Sequence, residues 1–258
     1  MEKLDVCLVS DFDGVLVNSL PLIDEYVKRI DYKASDEYRK ILVDRSNQLH
    51  ILKQQLEEEQ KFNSNEYRAV IEEIEELRRK RYEHYDRKNV VLEEVYPEYR
   101  NRIDYNAIYQ LENAYDGVIE TLIRIKNEKI YDKIIVCSSV NTSVEILYKR
   151  KFINKYLENA YFLPVHFFSL PYEDPETNMK NVGRIPADKL VALTEHYFID
   201  IPKSVVVDDT KGVIDSGLKL GFNCFHRKVE DDINEIFINA ANDTIDNVHG
   251  GKIKKLSL

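Results

Sequence analysis

Near its start the chain reads "VSDFDGVLVNS", an apolar run that ends in two carboxylates, Asp11 and Asp13, separated by one aromatic and followed by Gly14. Two more apolar runs end in polar pairs: Ser138 and Ser139 close "KIIVCSS", and Asp208 and Asp209 close "SVVVDD". Residues two apart on a strand point the same way, so Asp11 and Asp13 can face one site while Phe12 turns into the core. Carboxylates this close repel unless a cation stands between them or one holds a proton. Asp208 and Asp209 sharpen the conflict. Mg²⁺ resolves it, being a hard cation that takes carboxylate and carbonyl oxygens together with water and phosphate. Either serine or acid pair alone would also fit a helix cap; three such sets at the strand ends of one sheet point to a shared site.

The elements that must hold these groups read as follows. Continuous Ile/Val runs (the first over Leu4–Val9, then "KIIVCSS", "SVVVDD" and "FNCFH") alternate from about Asp116 onward with helical segments "GVIETLIRIKNEK", "TSVEILYKRKF", "PADKLVALTEHYF" and "GVIDSGLKLG". Such strands between single helices predict a parallel sheet covered on both faces, with ligands at the carboxyl ends of its strands. Between residues 19 and 115 the chain has no glycine and is dense in charge. Ser35 predicts an N-cap, followed by Tyr38, Ile41, Leu42, Leu49, Leu52 and Leu56 at helical spacing. "NSNE" interrupts, with Asn63 and Glu66 as a capping box, and Val70, Ile74 and Leu77 resume the stripe. This predicts an αα-hairpin; Pro97 predicts the end of a further helix. The organisation is therefore an α/β core (1–18 and 116–258) interrupted by an all-helical insert (19–115).

A chain of 258 residues, 43% hydrophobic, can fill such a core. A net charge of −9 argues against broad electrostatic binding to nucleic acid or anionic membrane. The cysteines Cys7, Cys137 and Cys224 lie in strand-like runs without metal-ligand spacing, as expected of free thiols in a reducing compartment. With no signal-peptide pattern and no long apolar span, the expectation is a cytoplasmic protein that uses no membrane.

"DFDGVLVNS" resembles the first motif of the haloacid dehalogenase (HAD) superfamily. "IIVCS" with Ser138 resembles its second motif, "VVVDD" its fourth, and Gly221 falls where the family has a glycine after the next helix. For the basic third motif, "GRIPADKLVAL" offers Arg184, with Lys180 as the competing candidate. The subgroup often has aspartate where this chain has Asn18, and the segment before Arg184 is long. The resemblance implies a Rossmann-like core in which the insert is a C1-type cap that closes over the site and supplies specificity residues.

It further implies a phosphatase. Asp11 would be the nucleophile and form an aspartyl phosphate; Asp13 would serve the leaving group; Ser138 would bind the phosphoryl group, with Ser139 and Gly14 beside it. Arg184 or Lys180 would pair with the phosphate and Asp11. Asp11, the carbonyl of Asp13, and Asp209 would hold Mg²⁺, with Asp208 as an additional acid. The substrate would be a small phosphorylated metabolite, a sugar phosphate or nucleotide. Arg45, on the stripe of the first long helix, could face inwards to substrate. The basic run "ELRRKRYEHYDRK" reads either as a docking face for a polyanion or as a solvated helix face. A phosphomutase is the nearest alternative. The rival class is a non-catalytic interaction protein working through its helical arm, a hairpin that could also form a homodimer.

Overall fold

Five short segments rich in valine and isoleucine pair side by side and all run parallel. The computed structural model describes residues 4–92, 103–140, 143–166 and 188–257. The strands are β1 (Cys7–Ser10), β2 (Lys133–Val140), β3 (Tyr161–His166), β4 (Val205–Asp208) and β5 (Asn223–His226), in the order β3-β2-β1-β4-β5. β1 is central, and Val9 faces Ile135 on one side and Val206 on the other. This is the Rossmann-like α/β sheet that the alternation of elements predicts. Its connections leave β1 towards opposite edges, and at that switch point the carboxyl ends of β1 and β4 adjoin.

One face of the sheet presents Cys7, Val9, Ile135, Cys137, Leu163 and Val206 to α7 (Asp188–His196) and α8 (Lys211–Leu220), through Leu190, Leu193 and Val213. Leu8, Val205 and Val207, which alternate with these residues, are buried as well. On that side α5 (Val118–Asn127) packs with α9 (Ile233–Asn247), and α9 also touches β4. α6 (Ser143–Tyr156) joins β2 to β3 and packs on both. Pro164 lies inside β3, which its place at the sheet edge allows. Gly221 ends α8 in the left-handed conformation (φ 96°).

The chain divides into two compact units, 1–20 with 105–258, and 21–104. Residues 105–115, placed in the insert by the sequence reading, cluster with the sheet unit. Tyr109, which follows the short helix α4 (Tyr105–Ile108), packs edge-on to Phe12 at 5.2 Å, and the Tyr115 amide donates to the Leu16 carbonyl (3.1 Å).

In the second unit, α1 (Leu20–Ile30, entering from the first) leads to α2 (Asp36–Glu58) and α3 (Asn65–Leu92). Ser35 Oγ accepts from the Tyr38 amide (3.2 Å) and caps α2 as expected. The cap of α3 is Ser64 rather than Asn63: its Oγ accepts from the Tyr67 amide (3.1 Å). Leu42, Leu49 and Leu56 pack against Val70 and Leu77, so the stripe finds its partner within the hairpin. Each such side chain contributes roughly 2 kcal/mol of burial. Ile41 is exposed, one step off the stripe. Pro97 lies outside the described residues. Among the described residues no helix is long and apolar enough to cross a membrane.

His84 is buried on α3, with Nε2 3.0 Å from the Ser35 carbonyl, a contact that needs the Nε2–H form. Burial holds its pKa below the ordinary histidine value, against the pull of the Ser35 bond. In the unfolded chain the imidazole regains its usual pKa of ~6.5, so on acidification the unfolded state takes up this proton first. The stability concerned is complete above that pH and is lost as pH falls below it. Urea unfolding at about pH 7.5 and about pH 5.5 should show a smaller acid-induced loss in His84→Gln than in the parent protein.

Candidate functional site

β1 extends by one residue beyond its last paired position: the Asp11 amide donates to the Val207 carbonyl of β4 (3.0 Å), which sets Asp11 beside Asp208. Asp11 Oδ1 accepts from the Phe12 amide (2.8 Å), and Phe12 is fully buried against Tyr109 and Phe152. The aromatic between the two acids thus anchors the turn. Gly14 follows with φ 73°, its N–H donating to the Val17 carbonyl (2.9 Å), so that N–H serves the turn rather than a ligand. A Cβ at Gly14 would collide with the Asp209 carboxylate. Only glycine lets this loop and that acid approach so closely. Arg227, directly after β5, holds the loop from below: it donates to the Gly14 carbonyl (2.9 Å) and lies over the Tyr115 ring (4.4 Å).

Asp11, Asp208 and Asp209 offer carboxylate oxygens that all lie within 4.8 Å of one another. Lys189, the second residue of α7, is buried among them, 3.1 Å from Asp11 Oδ2 and 2.6 Å from Asp208 Oδ2. The other oxygen of Asp208 accepts from the Thr210 amide (2.8 Å). Burial pushes the Asp11 carboxyl up to about 6, Lys189 pulls against the rise, and Asp208 and Asp13 add to it. Burial, then Asp11, also raises Asp209. Burial opposes the Lys189 ammonium, but Asp11 and Asp208 more than offset it and hold its pKa above the ordinary lysine value. Three acids around one ammonium leave an excess of negative charge. A divalent hard cation fits that donor set and would reverse the rise at Asp11.

A second buried lysine stands on the far side of Asp13. Lys149, on α6, donates to Asp13 Oδ2, while Ser19 Oγ donates to the other oxygen of that carboxylate. Lys149 Nζ also lies 3.0 Å from Ser138 Oγ, 3.2 Å from the Ser139 carbonyl and 2.6 Å from Glu145 Oε1.

The sheet therefore gathers Asp11, Asp13, Gly14, Ser138, Ser139, Asp208 and Asp209 around the ends of β1, β2 and β4. Arg184 and Lys180 lie outside the described residues. Arg45 belongs to the helical unit, where both its Nε (2.7 Å) and Nη2 (3.0 Å) donate to Glu73; the side chain is half exposed and its guanidinium is engaged in that pair. Cations of the basic run pair with acids, among them Lys80 with Glu76, Arg87 with Asp31 and Lys88 with Asp36, as on a solvated helix face. Burial pushes Cys7 and Cys137 up to about 12 and Cys224 up to about 11, so these free thiols stay protonated.

Sequence reasoning missed both Lys189 and Lys149. A signal was present: each lies on the apolar stripe of its helix, Lys189 beside Leu190 and Leu193, and Lys149 between Ile146 and Ile153.

No family model and no curated protein matches the chain. Among solved structures it is similar to a HAD hydrolase of family IA, variant 3, from Entamoeba histolytica, with 16% identity over 94% of this chain and 100% of that one (TM-score 0.44). It is similar to a HAD-superfamily hydrolase of subfamily IA, variant 1, from Geobacter sulfurreducens, with 17% identity over 88% and 89% of the two chains (TM-score 0.43). A HAD family enzyme from Bacteroides thetaiotaomicron, solved in complex with magnesium and inorganic phosphate, shows 16% identity over 88% and 96% (TM-score 0.39). At such scores the site, not the likeness, has to carry a function.

Replacing Lys189 by methionine strands Asp11 and Asp208 as buried charges. Removing one partner of a buried ion pair costs about 3–5 kcal/mol. Urea unfolding of Lys189→Met in EDTA at neutral pH should show a loss of that order, and added Mg²⁺ should recover part of it.

Proposed function

We propose that this chain is a Mg²⁺-dependent phosphomonoester hydrolase of HAD type that acts on a small phosphorylated metabolite. The observation that carries this reading is the carboxylate of Asp11, held at the end of the central strand with Asp208, Asp209 and Lys189 gathered around it. Asp11 and Asp209, with the backbone carbonyl of Asp13, would hold Mg²⁺, whose charge offsets the repulsion between an anionic nucleophile and an anionic phosphate.

The chain's own residues supply the remaining chemistry. Asp11 Oδ2 attacks phosphorus as the bond to the ester oxygen breaks, which gives an aspartyl phosphate; a carboxylate needs no activating base. A proton carried by Asp13 would pass to the departing oxygen, and the resulting carboxylate, the form that Lys149 and Ser19 bind here, would take one from the water that hydrolyses the intermediate and releases phosphate. The Ser138 hydroxyl donates to a phosphoryl oxygen. Lys189 orients Asp11 and sets positive charge beside the transferring group, in the role the sequence reading gave to Arg184 or Lys180. Asp208, with both oxygens engaged, fixes Lys189 in turn.

A panel of sugar phosphates, nucleotides and simple esters, assayed for phosphate release with Mg²⁺ and with EDTA, tests this reading. Release should require Mg²⁺ and fall about 10³-fold or more in Asp11→Asn. No release from any ester, or an Asp11→Asn protein as active as its parent, would overturn it. Transfer to a second hydroxyl in place of water would make the chain a phosphomutase with the same first half-reaction. Gly14→Ala, which strains the turn and displaces Asp209, should raise the Mg²⁺ concentration for half-maximal rate by about tenfold or more.

A further inference from the structure

Lys149 is fully buried on a helix face that it shares with Ile146, Phe152, Ile153 and one acid, Glu145. An apolar residue there would pack without the several kcal/mol that taking an ammonium out of water costs. The lysine is neutralised twice. It meets Asp13 from the first strand end and Glu145 one turn earlier on its own helix, which the Tyr109 hydroxyl also reaches at 3.4 Å. Burial works against the ammonium, yet the two carboxylates more than offset it and hold its pKa above the usual lysine value. The Phe12 and Tyr109 rings, at 5.5 Å and 5.6 Å from Nζ, wall it off from water.

Hydrogen-bond polarity gives this arrangement a direction. An ammonium has three donors and no acceptor, so in its contact with Ser138 Oγ, 3.0 Å away, the serine oxygen is the acceptor, with the Ser139 carbonyl at 3.2 Å sharing that side of the ammonium. The single hydrogen of the serine is thereby turned elsewhere, here to the Ser139 carbonyl in a long 3.3 Å bond that a phosphoryl oxygen can readily replace. The same ammonium holds one oxygen of Asp13, and Glu145 keeps it in place whichever way the Asp13 carboxyl turns.

We propose that Lys149 is a positioning residue of the phosphoryl-transfer site, donating at once to Asp13 and to Ser138 so that the leaving-group acid and the phosphate-binding hydroxyl are set by one buried amine anchored on Glu145. This rests on the hydrolase reading above. It adds to the machinery a residue that lies on α6 and touches none of Asp11, Asp208 or Asp209 among the contacts described.

Lys149→Met alone would leave the Asp13 and Glu145 carboxylates without the ammonium between them, so the test uses Lys149→Met/Glu145→Gln, which removes both charges; thermal melting checks that it folds. With an alkyl phosphate, whose leaving oxygen needs a proton, kcat/KM should fall about 10²–10³-fold. With p-nitrophenyl phosphate, whose leaving group departs as the anion, the fall should be smaller by about tenfold or more. Titration of inorganic phosphate in the presence of Mg²⁺ gives the second readout. The double variant should weaken binding in the parent but add nothing on top of Ser138→Ala. Equal losses on both esters, additive losses in phosphate binding, an unfolded double variant or an unaffected one would each overturn the assignment. A parent protein that binds phosphate without hydrolysing esters leaves the binding cycle to decide. One that does neither overturns the hydrolase reading itself, and this proposal with it.

Discussion

Like charges forced together out of water constrain everything else in the sheet unit. Asp11, Asp13, Asp208 and Asp209 converge because a parallel sheet brings the carboxyl ends of its strands to one edge, and the order β3-β2-β1-β4-β5 puts β1 in the middle. Left alone, these acids would hold protons or push the strand ends apart. Two buried lysines, one on each side, prevent this: Lys189 holds Asp11 to Asp208, and Lys149 draws Asp13 towards α6. The two acids of the first motif thus have different partners, Lys189 for Asp11 and Lys149 for Asp13. Gly14 and Arg227 then let the loop that carries Asp13 lie close against Asp209.

The framework of this arrangement was legible in the sequence because it depends on local pattern. Runs of valine and isoleucine between single helices can bury both faces only as a parallel sheet. The polar residues that end those runs are at its functional edge for the same reason. The hairpin was legible from Leu42, Leu49, Leu56, Val70 and Leu77, and its first cap from Ser35. What pattern left ambiguous was which of several neighbouring residues does the job. Ser64 takes the cap from Asn63. β3 is absent from the sequence reading; Pro164 speaks against a strand there, an objection that loses force at a sheet edge, where one side has no ladder to fill.

The lysines were illegible for a different reason. The chain carries 37 lysine and arginine residues, and residue type alone does not separate Lys149 and Lys189 from the many that are solvated. Family spacing drew attention to Arg184 and Lys180, while Lys189 lies five residues past Arg184, inside α7. Both buried lysines do sit where the apolar stripe of a helix calls for a leucine. A charge on the buried face of an amphipathic helix is costly unless an opposite charge waits across the interface. Asp11 with Asp208, and Asp13 with Glu145, are those charges. The stripe that locates a helix against a sheet can thus also reveal which of its charged residues face inwards.

The same energetics weigh the enzyme against a protein that merely keeps the fold. Buried ion pairs seldom add stability over a well-packed apolar core and are often neutral or worse. A scaffold working through its helical arm would gain by replacing Lys149 and Glu145 with apolar residues, and Lys189 and Asp208 likewise. Here both pairs are kept together, each bound to an acid of the first motif, with their lysines on two different helices. The helical unit, by contrast, confines its charge pairs largely to exposed or half-exposed positions, such as Arg45 with Glu73 and Lys53 with Glu57, and fills its interface with leucine and valine. One chain therefore follows two rules of burial. The unit in which charges are buried is the one whose strand ends carry the acids, and that difference is accounted for if the buried charges serve chemistry.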